Sequence, residues 1–179
     1  MIEREIKLAM PSVEAARAAL VAAGAEPHGA RRLQDDLLYD TDDHVLFAQR
    51  AALRLRRDGD RALLTFKGPV EPGLLKTREE IETLVDDHDA TALLLARLRF
   101  RPWFRYQKYR EEFRFAGVVA AVDDTPAGVF IELEGDEEGI LNLAARLERA
   151  PSAFILDSYH GIWMKHQQAR GADAGDMLF

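Results

Sequence analysis

An antiparallel β-barrel, closed or nearly closed and flanked by a few helices, is the fold class predicted for this chain of 179 residues. Three observations predict it. About eight segments alternate charged and apolar side chains with a period of two, as half-buried strands do. Helical periodicity is confined to a few short stretches. The connections are short, with no repeat, low-complexity run or linker between them, so the strands have to pair among themselves. The expected organisation is mainly β, with one domain over residues 1–170 and a frayed tail over 171–179.

The elements follow in order. Residues 2–9 of "MIEREIKLAM" alternate like a strand, with Glu3, Glu5 and Lys7 on one face and Ile2, Ile6 and Leu8, with Arg4 among them, on the other. "SVEAARAALVAAG" reads as a helix with Ser12 as N-cap and Gly24 as its stop. "LQDDLLYDT" (33–41) has strand character, the overlapping "RRLQDD" (31–36) reads as a charge-rich turn, and "HVLFAQRA" predicts a short helix. In "ALRLRRDGDRALLTFKGP" the Asp58-Gly59 pair marks a hairpin between two alternating runs. "LKTREEIETLV" (75–85) alternates again, and Asp89 is the expected cap of a helix over "ATALLLARL". Residues 103–115, 118–125 and 128–135 read as three further strands. "DEEGILNLAARLERA" and "DSYHGIWMKHQQAR" read as helices, the second capped at Asp157 or Ser158.

Composition narrows the function. The net charge of −7 lacks the basic footprint of a general nucleic-acid binder, although 31% of the residues are charged. There is no cysteine, which excludes disulfides, zinc–thiolate centres and thiol nucleophiles and fits a reducing cytoplasm. The N-terminus lacks an apolar signal region, and no apolar run approaches the roughly 20 residues that span a bilayer. The expectation is a soluble cytoplasmic protein without membrane or nucleic-acid partners, acting as a monomer or homodimer. The five histidines show no metal-binding spacing, and no glycine-rich phosphate loop is present. Trp103 and Trp163 read as core or rim packing.

The charged faces carry the chemistry. Arg54 and Arg56 alternate with Leu53 and Leu55; Lys76, Arg78, Glu80 and Glu82 share one parity; Lys108, Arg110 and Glu112 share another; Glu132 and Glu134 alternate with Ile131 and Leu133. A solvated sheet face normally mixes in Ser, Thr and Gln, whereas these are almost wholly Arg, Lys and Glu. Turned inward, they would line a tunnel with both signs of charge, which demands mutual pairing or a charged ligand. Clustered guanidinium and ammonium groups suit a polyphosphate, and clustered carboxylates suit a hard divalent cation. Phosphoryl transfer uses both.

The opening "EREIK" is similar to the ExExK signature of the CYTH superfamily, the triphosphate tunnel metalloenzymes. "QDDLLYDT", "ALRLRR", "LTFKGP", "KTREEIE", "KYREEF", "VDDTPAGVFIELE" and "SY" resemble the family's later motifs in the same order, from residue 3 to residue 159. The resemblance implies a closed eight-stranded barrel whose tunnel binds a triphosphate and Mg²⁺ or Mn²⁺. Its members include inorganic, thiamine and RNA triphosphatases and class IV adenylate cyclases. Carried onto this chain, it implies metal binding by Glu3, Glu5, Glu132 and Glu134, with Glu80 and Glu82 orienting basic residues or assisting at a second metal. It implies phosphate binding by Lys7, Arg54, Arg56, Lys67, Lys76, Arg78, Lys108 and Arg110, and closure of one mouth by Lys165. Asp123, or Asp124 if the alignment slips by one, is implied as a further tunnel acid of the metal set, and Glu5 is implied in catalysis as well. Lys67 and Tyr39 would form a proton-handling dyad, with the lysine pKa depressed by like charge; the alternative is a metal that acidifies the attacking water itself. The expected substrates are inorganic triphosphate, thiamine triphosphate or ATP. The leading activity is triphosphate hydrolysis, the alternative is cyclisation of ATP, and a non-catalytic nucleotide-binding barrel comes third.

Overall fold

The computed structural model describes residues 1–179. Its strands are β1 (Ile2–Met10), β2 (Glu26–Pro27), β3 (Arg32–Asp40), β4 (Ala52–Asp58), β5 (Arg61–Lys67), β6 (Lys76–Val85), β7 (Arg101–Phe115), β8 (Val118–Thr125) and β9 (Gly128–Glu134). Its helices are α1 (Val13–Ala22), α2 (Val45–Ala48), α3 (His88–Arg97), α4 (Glu137–Arg146) and α5 (Tyr159–Ala169). The strands hydrogen-bond in the order β2-β7-β3-β4-β5-β6-β1-β9-β8, and β7 also pairs with β8. That last pairing closes an eight-stranded antiparallel barrel, with β2 as a two-residue extension on β7.

Register follows from local chemistry. The β4–β5 hairpin turns at Asp58-Gly59-Asp60-Arg61, where Gly59 takes φ +61, a left-handed conformation that costs glycine little. Residues directly opposite in an antiparallel pair share a face. The hairpin therefore fixes Arg54 opposite Thr65 and Arg56 opposite Leu63, and β3 places Leu38 opposite Arg54 and Asp36 opposite Arg56.

The main hydrophobic core lies outside the barrel wall. Ile6, Leu8, Ala120, Val122, Ile131 and Leu133 point outward from β1, β8 and β9 and are packed against Ala16 and Leu20 of α1 and Ile140 and Leu143 of α4. Leu20, Ile140 and Leu143 are fully buried, and each contributes about 1.5–3 kcal/mol on that account. With the apolar faces held outside, the charged parity of each strand turns in. The outward core is the reason the tunnel can be ionic.

Three local expectations are corrected. "RRLQDD" is not a turn: Arg32 to Asp36 are the first half of β3. The cap of α3 is Asp87, whose carboxylate accepts from the amides of Asp89 and Ala90. The C-terminal segment is not frayed. Met177 is fully buried and runs beside Tyr106 of β7, exchanging backbone hydrogen bonds with Arg105 and Gln107. Its amides find partners there because β7 pairs with β8 only from Tyr109 onward. No helix is long and apolar enough to cross a membrane.

Candidate active site: an ionic tunnel through the barrel

The inward parity of the strands lines one cavity of about 820 Å³. Glu3, Glu5 and Lys7 enter it from β1, Arg54 and Arg56 from β4, Lys67 from β5, and Lys76, Arg78, Glu80 and Glu82 from β6. Lys108 and Arg110 come from β7, and Glu132 and Glu134 from β9. Fourteen expected site residues thus share one space. Of the others, Asp123 lies in the wall, and Tyr39 and Lys165 lie elsewhere.

On one side the acids of β1 meet the bases of β5 and β6. Lys67 Nζ donates to Glu3 and to Glu80, each at 2.6 Å, and Arg78 Nε donates to Glu3 at 2.9 Å. Lys76 reaches Glu5 at 2.6 Å, and Lys7 bridges Glu5 at 2.9 Å and Glu132 at 3.1 Å. Burial works against the charge of Glu5, yet Lys7 and Lys76 hold its carboxyl below the usual range. Burial likewise opposes the charge of Lys7, and Glu132 and Glu5 overcome it and raise its pKa.

On the other side Asp123 is the hub. It is wholly buried and accepts from Arg110 at 2.7 and 2.6 Å, from Lys108 at 2.8 Å and from the Tyr159 hydroxyl. The Tyr159 ring also lies under the Lys108 ammonium, 4.5 Å from its centroid. Burial opposes the charge of Asp123, but Arg110 and Lys108 lower its pKa. Asp36 plays the same part for β4: it is fully buried and accepts from Arg56 at 2.7 Å, with Arg54 Nε at 3.5 Å. Arg54 also donates to Glu82 at 3.1 Å and Thr65 at 3.0 Å.

Two lysines differ from the rest. Burial, with Lys7 and Arg78 nearby, outweighs Glu5 and pushes Lys76 down to about 8. Burial and the adjacent Arg110 outweigh Asp123 and push Lys108 down to about 8. Glu134 is the odd acid. It sits opposite Glu5 in register, reaches solvent at the tunnel mouth and has no basic partner. Partial burial and the carboxylates of Glu132, Glu3 and Glu5 push it up to about 7.

Two expected roles meet contrary placements. Tyr39 lies opposite Leu53, hence on the outer face of the barrel, where it packs with Leu55 of β4 and Leu95 of α3. It cannot share a proton with Lys67 inside. The like-charge crowding expected at Lys67 is also missing, because its two hydrogen-bond partners are carboxylates. Lys165 stands out in solvent and pairs with Asp157 at 2.7 Å, so it closes no mouth. The Asp123/Asp124 choice falls to Asp123, since Asp124 faces out to Arg31. Asp123 is sheathed by cations rather than open to a metal.

Sequence reasoning missed Asp36 and Gln34 because "RRLQDD" looked like a turn, although both share the parity of Leu38, whose partner is Arg54. It also passed over His160, which lines the cavity beside Trp103 with ring centroids 4.9 Å apart.

No three carboxylates converge into a ready-made metal cage. The donor set nevertheless has the chemistry of a hard-cation site: oxygen ligands only, on facing positions of β1 and β9, one of them unpaired. The cavity is lined by eleven basic and nine acidic side chains, with Asp36 and Asp123 directly behind them. The tunnel therefore has no surplus of positive charge.

The fold and this bore define a class, a closed antiparallel barrel with an ionic tunnel. A family model for the CYTH domain matches residues 1–150, and the chain belongs to that family. A protein of Methanocaldococcus jannaschii, provisionally named an adenylate cyclase, is 30% identical over 105 residues, which are 58% of this chain and 60% of that one. A Bacillus subtilis protein, provisionally named a triphosphatase, is 38% identical over 53 residues, or 30% of this chain and 28% of that one. The matches thus span less than two thirds of either relative. Among solved structures, a protein of Hippeastrum superposes with a TM-score of 0.67 at 18% identity, covering 92% of this chain and 95% of that one.

Proposed function

We propose that the chain is a divalent-metal-dependent hydrolase of inorganic or small organic triphosphates. The charge balance of the tunnel carries this reading. A polyanion entering a bore with no positive surplus meets as many carboxylates as cations, so its binding requires cations brought from solution. The acidic set Glu3, Glu5, Glu132 and Glu134 would hold Mg²⁺ or Mn²⁺. Such an ion, when bound, offsets the charge that builds on phosphoryl oxygens.

The chain's own groups supply the rest. Lys7, Lys76 and Arg78 exchange their carboxylate partners for phosphate oxygens, with Lys108, Arg110, Arg54 and Arg56 as further anchors. Guanidinium groups bind phosphate in two-pronged fashion, which fixes orientation as well as charge. Asp36 and Asp123 hold those cations in place from behind. Glu80 and Glu82 keep Lys67 and Arg54 oriented. The Bacillus relative carries a triphosphatase name, and the name of the Hippeastrum structure describes a dominant triphosphatase activity in a protein called an adenylyl cyclase.

Cyclisation of ATP is the second reading. The archaeal relative's name favours it. So does the mouth of the cavity, where Trp103, Phe47 and His160 form an aromatic rim able to stack on a base.

The test is incubation with Mg²⁺ or Mn²⁺ and inorganic triphosphate, thiamine triphosphate or ATP, with phosphate and cyclic AMP measured in parallel. Metal-dependent phosphate release supports the hydrolase. Pyrophosphate with cyclic AMP from ATP overturns it in favour of the cyclase, and absence of any turnover leaves a binding barrel. Glu5→Gln is expected to abolish the metal-dependent rate while the far-ultraviolet signature of the barrel is kept.

A further inference from the structure

We infer that Gln34 orients the water that attacks the terminal phosphorus, a role that rests on the hydrolase reading. Gln34 lines the tunnel from β3 and is 1% exposed. Its side-chain carbonyl Oε1 is buried without any hydrogen-bond partner. Leaving a buried acceptor unpaired costs about 1–3 kcal/mol, so a partner that arrives with the ligand is the economical explanation.

The orientation of the amide is set by its neighbours. Gln34 lies opposite Asp58 of β4 and opposite Lys108 of β7. The Asp58 carboxylate stands directly across from the Gln34 side chain, and a carboxylate is served only by the donating, nitrogen end of the amide. Asp58 is itself fixed by Arg32 and Arg61. The carbonyl is thereby the free end, beside a lysine that would hold phosphate.

The chemistry of the free end selects its partner. Ionised phosphate oxygens accept hydrogen bonds and offer none, so they cannot pair with a carbonyl. A water molecule can, and side-chain amides orient attacking water in other phosphoryl-transfer sites. In the step, the water oxygen bonds to the terminal phosphorus and the bridging P–O bond breaks. Its electron pair leaves with the diphosphate part, and the two water protons end on the two products. Gln34 holds one of those protons in a hydrogen bond and accepts none of them.

Steady-state kinetics with inorganic triphosphate and Mg²⁺ tests this on the full chain. Gln34→Met keeps length and burial but removes the acceptor. It is expected to lower kcat at least about tenfold with KM within about twofold, the signature of an interaction made in the transition state. Gln34→Glu restores an acceptor and is expected to recover much of kcat while raising KM for the anion. Unchanged kcat in Gln34→Met overturns the inference, as does a Gln34→Glu variant no faster than Gln34→Met. A wild-type chain that releases no phosphate overturns the hydrolase reading instead.

Discussion

Asp123 and Glu134 are both inward-pointing acids of one hairpin, on β8 and β9, and they do opposite things. Asp123 is wholly buried and takes hydrogen bonds from Arg110, Lys108 and Tyr159; Glu134 reaches solvent and has no basic partner. The neighbours of Asp123 pull its pKa down, whereas those of Glu134 push it up to about 7. The comparison separates two jobs that look alike in a sequence. One acid is scaffolding that aims cations, and the other is open to an incoming one.

The largest effect is expected where that scaffolding is cut. Asp123→Asn leaves Lys108 buried without its counter-charge and Arg110 with Glu132 alone, and breaking a buried pair in this way costs about 3–5 kcal/mol. Denaturant unfolding should register that loss. Glu134→Gln should leave the unfolding free energy within about 0.5 kcal/mol and instead raise the Mg²⁺ concentration needed for half-maximal rate. If the two variants exchange these signatures, the division of labour is wrong.

A middle-sized effect concerns pH. Lys108 is pushed down to about 8, so its charge is present below that pH and is lost above it. The KM for triphosphate is expected to rise as pH passes through about 8, and Lys108→Arg, which stays charged, should flatten that rise. A rise of the same steepness in the arginine variant would assign it to another group.

The smallest effects test the outer face. Tyr39→Phe and Lys165→Ala are expected to leave kcat and KM within about twofold, because neither side chain faces the cavity. A tenfold fall in either would return that residue to the site.

Period-two alternation made most of the barrel legible. It marked β1 and β4 to β9, strand character marked β3 over 33–41, and parity put fourteen site residues on one inward face, because it is a strictly local property. Tyr39 was misassigned because its face depends on the partner register: the β3–β4 pairing sets it against Leu53, which no local pattern states. Asp36 and Gln34 were hidden by a charge density that resembled a turn. Lys67 was expected to be crowded by cations, but its hydrogen-bond partners are the carboxylates of Glu80, opposite it on β6, and of Glu3 on β1. The ordered tail was invisible for a similar reason. "GADAGDMLF" has no periodicity of its own, and Met177 is held by the open edge of β7.

The tunnel is expected to take up a triphosphate only together with a divalent cation. Isothermal titration of the wild-type chain with non-hydrolysable imidotriphosphate, with Mg²⁺ and again with excess chelator, tests it most directly. Binding that appears with Mg²⁺ and falls at least about tenfold in chelator is the predicted result. Equal affinity in both conditions would contradict the claim, because the tunnel's own cations would then suffice.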